Sequence, residues 1–180
     1  MKKFYIVSNV SKDYEFKTTK KIVSFLESHN MDCKVNSMPS TQKNVNMRYT
    51  NPEDVDKDTD CIIVIGGDGT LIQAARDLRT LDIPLIGVNM GHLGFLAEIE
   101  QDNLEETLEM IMNNKCKIES RIMLSGSVYR DGKVVYKDIS LNDIVFGRAG
   151  NLRVIDFKIY VNNEYLNLYS ADGVIIATPT

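Results

Sequence analysis

The sequence predicts an α/β N-terminal domain, a parallel sheet flanked by helices, followed by an incomplete all-β domain of antiparallel, sandwich-like type. As far as residue 114, apolar runs of strand length alternate with segments of helical period, which is typical of a helix-covered parallel sheet. Further on, short strands are joined by tight-turn sequences. About five such strands and a bare end predict missing strand partners. We therefore expect an α/β domain at 1–114 and a truncated β-rich domain at 115–180.

The composition is that of a globular protein with a sizeable core, since 43% of the 180 residues are hydrophobic and 26% are charged. The net charge of -4 gives no broad electrostatic reason to bind nucleic acid or an anionic membrane, so we expect neither partner. Cys33, Cys61 and Cys116 are widely spaced, which predicts neither a disulfide framework nor a zinc site and fits a reducing cytoplasm. We see no signal peptide and no apolar stretch of membrane-spanning length. These observations predict a cytoplasmic protein.

The first elements follow from apolar runs and periodicity. Phe4–Val7 is predicted to be a strand, and a helix is predicted between Tyr14 and Leu26, with its apolar residues on one side and lysines on the other. Either Ser11 or Asp13 is expected to cap that helix. A short second strand is predicted at Cys33–Val35.

Asn36–Asp60 is polar, contains two prolines and shows little periodicity. A loop of this length in a compact domain is usually functional, such as a lid, or disordered. Both interpretations stay open at this point.

The central motif begins with Cys61–Ile65, five consecutive apolar residues that suit a strand buried on both faces. Gly66-Gly67-Asp68-Gly69 ends this strand, and Thr70–Leu81 has helical periodicity. Backbone N–H groups and the helix dipole converge at such a turn and attract anions. A carboxylate there repels phosphate unless it binds a cation or accepts a proton. Asp68 is therefore either the base or metal partner of a phosphoryl-transfer site, or a residue that caps the helix.

The remaining elements are predicted in the same way, from apolar runs, helical periodicity and turn sequences. They are a strand at Pro84–Val88, a glycine-containing segment at Asn89–Ala97, a helix at Asn103–Met112, a tight turn at Arg130–Lys133, an alternating strand at Val154–Val161, a second tight turn at Asn162-Asn163, and a final apolar strand after Asp172-Gly173.

Four blocks of the sequence, in order, resemble NAD kinase, specifically the bacterial enzymes that use ATP or polyphosphate. The blocks are Gly66-Gly67-Asp68-Gly69-Thr70, Asn89-Met90-Gly91-His92-Leu93-Gly94-Phe95-Leu96, Leu141-Asn142-Asp143, and Ala171-Asp172-Gly173 through Ala177-Thr178-Pro179-Thr180. Lipid kinases share the first block but carry a different glycine-rich sequence in place of the second. The second block is therefore the more specific one.

The resemblance implies a transferase that phosphorylates the 2′-hydroxyl of the adenosine ribose of NAD with ATP or polyphosphate, giving NADP. It implies that Asp68 is the catalytic base that activates this hydroxyl. It also implies that the phosphates approach the backbone at Gly67 and Gly69, where Thr70 offers a hydroxyl. We expect Mg²⁺ to arrive with the nucleotide, because no carboxylate cluster has the spacing of metal ligands.

The other implied binding residues are expected around NAD. Asn142 and Asp143 take the place of an Asn-Glu pair that holds the adenine and its ribose, although the acid here is one methylene shorter. Asp172 is implied to contact the nicotinamide-side ribose. The remaining implied contacts are Phe95 in the adenine pocket, and Arg153 and Ser170 near the bound dinucleotide.

Members of the family continue past the Thr-Pro-Thr segment with Gly-Ser-Thr-Ala-Tyr and further strands, which complete the β domain and the subunit interface. We therefore expect this chain to be truncated on its C-terminal side, and whether it is active by itself stays open. The full-length protein is expected to be a homodimer or homotetramer. Two alternatives stay open: a non-catalytic nucleotide-binding module, and a lipid or sphingoid kinase sharing the Gly-Gly-Asp-Gly-Thr motif. The preferred phosphate donor and the choice between NAD and NADH are also open.

Overall fold

The computed structural model describes residues 1–38, 50–91, 96, 99–150 and 153–179. The chain divides into two compact units, Met1–Ser120 and Arg121–Thr180. The first unit holds a parallel sheet with helices, and the second holds antiparallel strand pairs. The predicted α/β class followed by an antiparallel β class is confirmed.

The first unit alternates strands and helices. Its elements are β1 (Lys3–Asn9), α1 (Lys17–Ser28), β2 (Asp32–Met38), β3 (Cys61–Gly66), α2 (Asp68–Asp77), β4 (Leu85–Asn89) and α3 (Leu104–Met112), with 3₁₀ turns at Tyr14–Phe16, Pro52–Asp54 and Gln101–Asn103. All neighbouring strands of the sheet are parallel, in the order β2-β1-β3-β4. The helix predicted over Thr70–Leu81 begins two residues earlier and ends at Asp77.

The direction of winding changes between β1 and β3. From β1 the chain moves to β2 on one side, whereas from β3 it moves to β4 on the other. Ser8 is in register with Ile65, so the loops after Asn9 and Gly66 leave the sheet side by side. In open α/β sheets, ligands bind outside the carboxyl ends of the strands at such a switch point.

The sheet is buried on both faces, as the apolar run of β3 predicts. All six residues of β3 are buried. Alternate residues of β1 and β3 face two apolar clusters. One cluster joins Phe4, Ile6, Cys61, Ile63 and Ile65 to Ile22, Leu26, Leu104, Leu108 and Ile111; the other joins Tyr5, Val7, Ile62 and Val64 to Leu71, Ala74 and Leu78. This packing holds the strand ends in place, and with them the loops that follow.

The segment predicted as an irregular loop, Asn36–Asp60, is ordered where the structure describes it. β2 extends as far as Met38, and Val55 is buried in the second apolar cluster. The backbone N–H and the hydroxyl of Thr50 donate to Oδ2 of Asp77 over 3.1 and 3.2 Å. The predicted irregular segment is therefore wrong at its start, where β2 continues to Met38, whereas residues 50–60 contain no regular element beyond the 3₁₀ turn at Pro52–Asp54. Residues 39–49 lie outside the described part.

The second unit has six described strands, one more than the five or so predicted. They are β5 (Leu124–Arg130), β6 (Lys133–Ser140), β7 (Asp143–Gly147), β8 (Ile155–Val161), β9 (Glu164–Ala171) and β10 (Gly173–Ala177). They pair antiparallel as β5–β6, β8–β9 and β7–β10.

Two of these pairs are hairpins closed by the predicted turn sequences. Asp131 and Gly132 have φ of 51° and 73°, and Asn162 and Asn163 have φ of 51° and 68°. Positive φ at both central residues is the requirement of a two-residue type I′ hairpin, which asparagine, aspartate and glycine meet at low cost. Both predicted turns are confirmed.

Candidate functional site

The glycine-rich turn lies where β3 passes into α2. Gly67 occupies the cap position of the helix with extended backbone (φ −123°, ψ −174°), and no side chain caps the helix there. The first turn of a helix has backbone N–H groups without intrahelical acceptors, and it carries the positive end of the helix dipole. Gly69 is exposed, and a Cβ built on it would meet nothing within 4 Å. The backbone at Gly69 is therefore accessible to solvent.

Asp68 is the first residue of α2 and is half-buried. Its Oδ1 accepts a hydrogen bond from the backbone N–H of Leu96 over 3.3 Å. The N–H of Met90 donates to the carbonyl of Gly66 over 2.7 Å. The first two sequence blocks are therefore brought together, and the segment after β4 contributes to orienting the Asp68 carboxylate.

Thr70 is buried beneath the turn and supports it. Its side chain packs so closely on Gly66 that a Cβ at Gly66 would lie 2.6 Å from Cβ of Thr70. Its Oγ1 accepts a hydrogen bond of 3.0 Å from the side-chain amide of Asn9. Thr70 thereby links the turn after β3 to the loop after β1, a structural role that the sequence does not reveal.

Lys12 is a residue of this site that the sequence analysis missed. It lies in the loop after β1 and is exposed. A Cβ built on Gly67 would lie 2.6 Å from Nζ of Lys12, so the ammonium group occupies the space beside that glycine. The only sequence signal is a lysine a few residues after the first predicted strand, because the pairing of that strand with the one before the glycine motif is not visible in one sequence.

The loop that carries Lys12 is tied down at its start by Asn9. The backbone carbonyl of Asn9 accepts from the N–H groups of Lys12 and Asp13, both over 2.9 Å. Its side-chain Oδ1 accepts from the N–H and hydroxyl of Ser11 over 3.1 and 2.7 Å. Asn9 therefore both folds this loop and joins it to Thr70.

Asp13 anchors the other end of the same loop. This buried carboxylate accepts from the N–H groups of Thr18 and Thr19, both over 2.9 Å, and from the hydroxyls of Thr19 and Ser8 over 2.5 and 3.3 Å. Burial by itself raises the pKa of Asp13, but the hydrogen bonds from Thr19, Thr18 and Ser8 together outweigh burial and hold this pKa below its usual value. Of the two predicted capping residues, Asp13 binds the start of α1, whereas Ser11 binds Asn9.

In the second unit, the third and fourth sequence blocks meet along β7 and β10. Asn142 lies in the bend before β7, and Asp143 begins that strand in register with Ala177. The N–H and hydroxyl of Thr178 donate to the carbonyl of Asn142 over 2.8 and 3.2 Å. These contacts place the predicted Asn142-Asp143 pair beside the Thr-Pro segment.

Asp172 lies at the opposite end of the β7–β10 pair. Arg148 donates from Nε to Oδ1 of Asp172 over 2.9 Å and from its backbone N–H to the Asp172 carbonyl over 3.0 Å. At about 3.4 Å per residue, Asp172 is roughly 17 Å along β10 from Ala177, the partner of Asp143. The two predicted acidic contacts are therefore well separated within this unit.

Of the other predicted binding residues, the structure describes Ser170 and Arg153, both in the second unit. Ser170 faces Asp156 across β8 and β9, and its hydroxyl donates to Oδ1 of Asp156 over 2.5 Å. Arg153 is exposed just before β8. Phe95 lies outside the described residues.

Within the described residues, no three or more His, Cys, Asp or Glu side chains form a group suited to hold a metal ion. None of the helices in this part of the chain has both the length and the apolar character needed to cross a membrane.

Comparison with known proteins agrees with this architecture. The family model described as ATP-NAD kinase N-terminal domain matches residues 5–116. The chain is 48% identical over 180 residues to an NAD kinase of Lachnospira eligens and 43% identical over 180 residues to an NAD kinase of Agathobacter rectalis, in both cases along its whole length. It spans 61% and 62% of the length of these two curated relatives.

A solved structure shares the fold. The crystal structure of yeast NADH kinase complexed with NADH superimposes with a TM-score of 0.75 and 21% sequence identity, over 99% of this chain and 57% of the other. This likeness covers both units of the chain and supports the sequence of an α/β unit followed by β strands.

Proposed function

Because this chain belongs to the NAD kinase family, we propose that it is part of an enzyme that phosphorylates the 2′-hydroxyl of the adenosine ribose of NAD, giving NADP. The observation that carries the proposal is the position of Asp68: a carboxylate in the first turn of α2, at the switch point of the sheet. The neighbouring helix end, the glycine backbone and the ammonium of Lys12 attract anions. A base set among anion-binding groups suits phosphoryl transfer to a hydroxyl.

In the proposed reaction, Asp68 accepts the proton of the ribose 2′-hydroxyl as that oxygen bonds to the γ-phosphorus of ATP. The bond between the γ-phosphorus and the β–γ bridging oxygen breaks, and ADP leaves. The hydrogen bond from Leu96 N–H to Oδ1 of Asp68 supports this role, because it limits the directions the carboxylate can take.

The donor phosphates are proposed to approach Gly67 and Gly69, where no side chain blocks the backbone. Thr70 belongs to the same proposal, since its hydroxyl accepts from Asn9 and keeps its own proton to donate.

Mg²⁺ is proposed to enter with the nucleotide, held mainly by phosphate oxygens. Asp68 is the one carboxylate of the turn sequence, which suits a metal ion that brings most of its own ligands.

NAD is proposed to bind through the second unit as well. Asn142 and Asp143 suit the adenine and its ribose, and Asp172 suits the nicotinamide-side ribose. Their separation along β10 is supporting evidence, because the two ends of a dinucleotide also lie far apart. Arg153, Ser170 and Phe95 are kept in the proposal as further contacts of the dinucleotide.

Three wider properties belong to the same proposal. Polyphosphate can replace ATP as donor, because the implied contacts are to phosphates alone. The whole protein is proposed to be a homodimer or homotetramer that binds small nucleotides and neither nucleic acid nor membranes. The proposed cytoplasmic location rests on the wide spacing of Cys33, Cys61 and Cys116.

The test uses this chain completed with the residues that follow the matched region in the Lachnospira eligens relative. NADP formation by the parent is measured with MgATP and NAD and is compared with that of Asp68→Asn. The control is Asp102→Asn, the same change at an exposed aspartate that lies outside the glycine turn. We expect Asp68→Asn to lower kcat by about 10²- to 10⁴-fold and Asp102→Asn to leave it unchanged.

The same assay on the 180-residue chain alone asks whether it is active without the added residues. A completed chain that folds but forms no NADP contradicts the proposed function. Full activity in Asp68→Asn contradicts the role of Asp68 as base.

A further inference from the structure

We propose that Lys12 binds the phosphate chain of the phosphoryl donor, and that the β1–α1 loop is therefore part of the donor site. The inference deepens the proposed function and rests on it. The chemistry recognised is a linear polyphosphate chain, from a nucleoside triphosphate or from inorganic polyphosphate.

The position of Lys12 is the first argument. Its Nζ fills the space that a Cβ on Gly67 would take, at 2.6 Å from that Cβ position. Gly67 caps α2, so the ammonium group lies beside the N-terminal end of that helix. Two positive features, a helix N-terminus and a lysine, come together from different strands of the sheet. Both features attract anions.

The topology of the sheet is the second, independent argument. The Lys12 loop leaves β1 and the glycine turn leaves β3, and the switch point of the sheet is between these two strands. Ligands of open α/β sheets bind in the crevice at that point. A cation on one wall of this crevice and backbone N–H groups on the other wall suit a chain of phosphates.

The anchoring of the loop is the third argument. Asn9 and Asp13 bind the loop at both ends through the contacts given above, and Asn9 also binds Thr70 over 3.0 Å. The backbone at Lys12 is therefore positioned before any ligand arrives, which lowers the entropy that binding costs. The buried Asp13 thus has a role in the position of Lys12, although it touches no ligand.

Among the described residues, no carboxylate forms an ion pair with Lys12. In the part of the chain that the structure describes, Lys3, Lys21, Lys34 and Lys117 form salt bridges with carboxylates, whereas Lys12 forms none. Lysine acts on phosphate as a compact point charge with three donors. In a protein of net charge -4, such a local cation matters for an anionic substrate.

The experiment compares Lys12→Met and Lys12→Arg with Lys20→Met in the completed chain. Lys20 is an exposed lysine of α1 and serves as the matched control. Loss of one charge-assisted contact predicts a KM for ATP that rises roughly 10- to 100-fold in Lys12→Met. The KM for NAD is expected to stay within about two-fold, and Lys12→Arg is expected to restore much of the donor affinity.

A second arm measures binding without turnover. Inorganic tripolyphosphate is titrated calorimetrically into the completed parent chain and into each of the three variants, and circular dichroism checks that each protein is folded. Weaker binding of tripolyphosphate in Lys12→Met alone supports the inference. If only ATP binding weakens, Lys12 recognises the nucleotide rather than the phosphate chain, and the inference is overturned in its stated form.

The two proposals fail separately. If the completed chain makes NADP and Lys12→Met has the same KM values and the same affinity for tripolyphosphate, Lys12 does not bind the phosphoryl donor. The proposed function then stands. If the completed chain makes no NADP, the proposed function fails. The tripolyphosphate titration then decides about Lys12 by itself.

Discussion

The side-chain amide of Asn9 donates a hydrogen bond to Oγ1 of Thr70 over 3.0 Å. This bond joins the loop after β1 to the first turn of α2, across the switch point of the parallel sheet. Because Thr70 also packs on Gly66, a substitution of Asn9, Thr70 or Gly66 is expected to alter the packing of the glycine turn. The candidate site is therefore built from two loops that are held together by this hydrogen bond.

The Asn9–Thr70 bond predicts an energetic coupling. Asn9→Ala, Thr70→Val and the double variant are compared by urea unfolding of the completed chain. We expect a coupling free energy of about 0.5–1.5 kcal/mol, the usual worth of a part-buried hydrogen bond. Thr70→Ser keeps the hydroxyl and is expected to retain most of the coupling with Asn9→Ala. Strictly additive losses would show that the bond contributes nothing.

Asp13 predicts a dependence of stability on pH. Its pKa in the folded chain lies below the value of 3.8 expected for an unconstrained aspartate, since the hydrogen bonds it accepts outweigh burial. Its ionised form therefore stabilises the fold fully above about pH 5, and this contribution is lost as the pH falls through the folded pKa. We expect Asp13→Asn to lower the free energy of unfolding at neutral pH by about 1.5–3 kcal/mol.

The measurement is chemical unfolding of the parent and of Asp13→Asn at a series of pH values from neutral to acid. The difference between the two is expected to shrink as the pH falls below about 4. Asp102→Asn, at an exposed position, serves as the control and is expected to follow the parent. A difference that stays constant with pH would mean that ionisation of Asp13 does not stabilise the fold.

Gly66 and Gly69, the first and last glycines of the turn, predict opposite effects on stability. A Cβ at Gly66 would meet the buried side chain of Thr70, with 2.6 Å to its Cβ. Gly66→Ala is therefore expected to destabilise the first unit by about 1–3 kcal/mol. Gly69 lies within α2 with open space around it, so Gly69→Ala is expected to stabilise by about 0.5–1 kcal/mol. Thermal unfolding of both variants tests this, and equal effects would contradict the geometry.

The cysteines predict a difference in reactivity. Cys61 is buried in β3, and burial is the main cause that raises the pKa of its thiol to about 12. Cys116 is exposed. With iodoacetamide between about pH 7 and 9, we expect Cys116 to be alkylated readily and Cys61 at least about 100-fold more slowly, since the thiolate is the reactive form. Peptide mass spectrometry measures both rates, and urea is expected to abolish the difference. Rapid native labelling of Cys61 would be incompatible with this core.

Much of the architecture was predictable because its causes are local. The apolar run of β3, the helical period of α3 and the hairpin sequences at Asp131-Gly132 and Asn162-Asn163 each depend on neighbouring residues alone. The order of the segments then implied a parallel sheet followed by antiparallel pairs. The start of Asn36–Asp60 was mispredicted, because β2 continues to Met38 by pairing with β1. The burial of Thr50 and Val55 was also not predictable, since it depends on contacts with Asp77 and the core that no local pattern reveals.

The sequence by itself determined the fold class, the glycine turn and the choice of Asp68 as the residue of interest, because a buried strand, three glycines and a helix follow one another directly along the chain. Only the tertiary structure decided which residues surround that turn. Lys12 and Asn9 reach Gly67 and Thr70 because β1 pairs in parallel with β3. Strand register across more than fifty residues depends on the packing of the whole sheet, and the site is assembled only when that packing is complete.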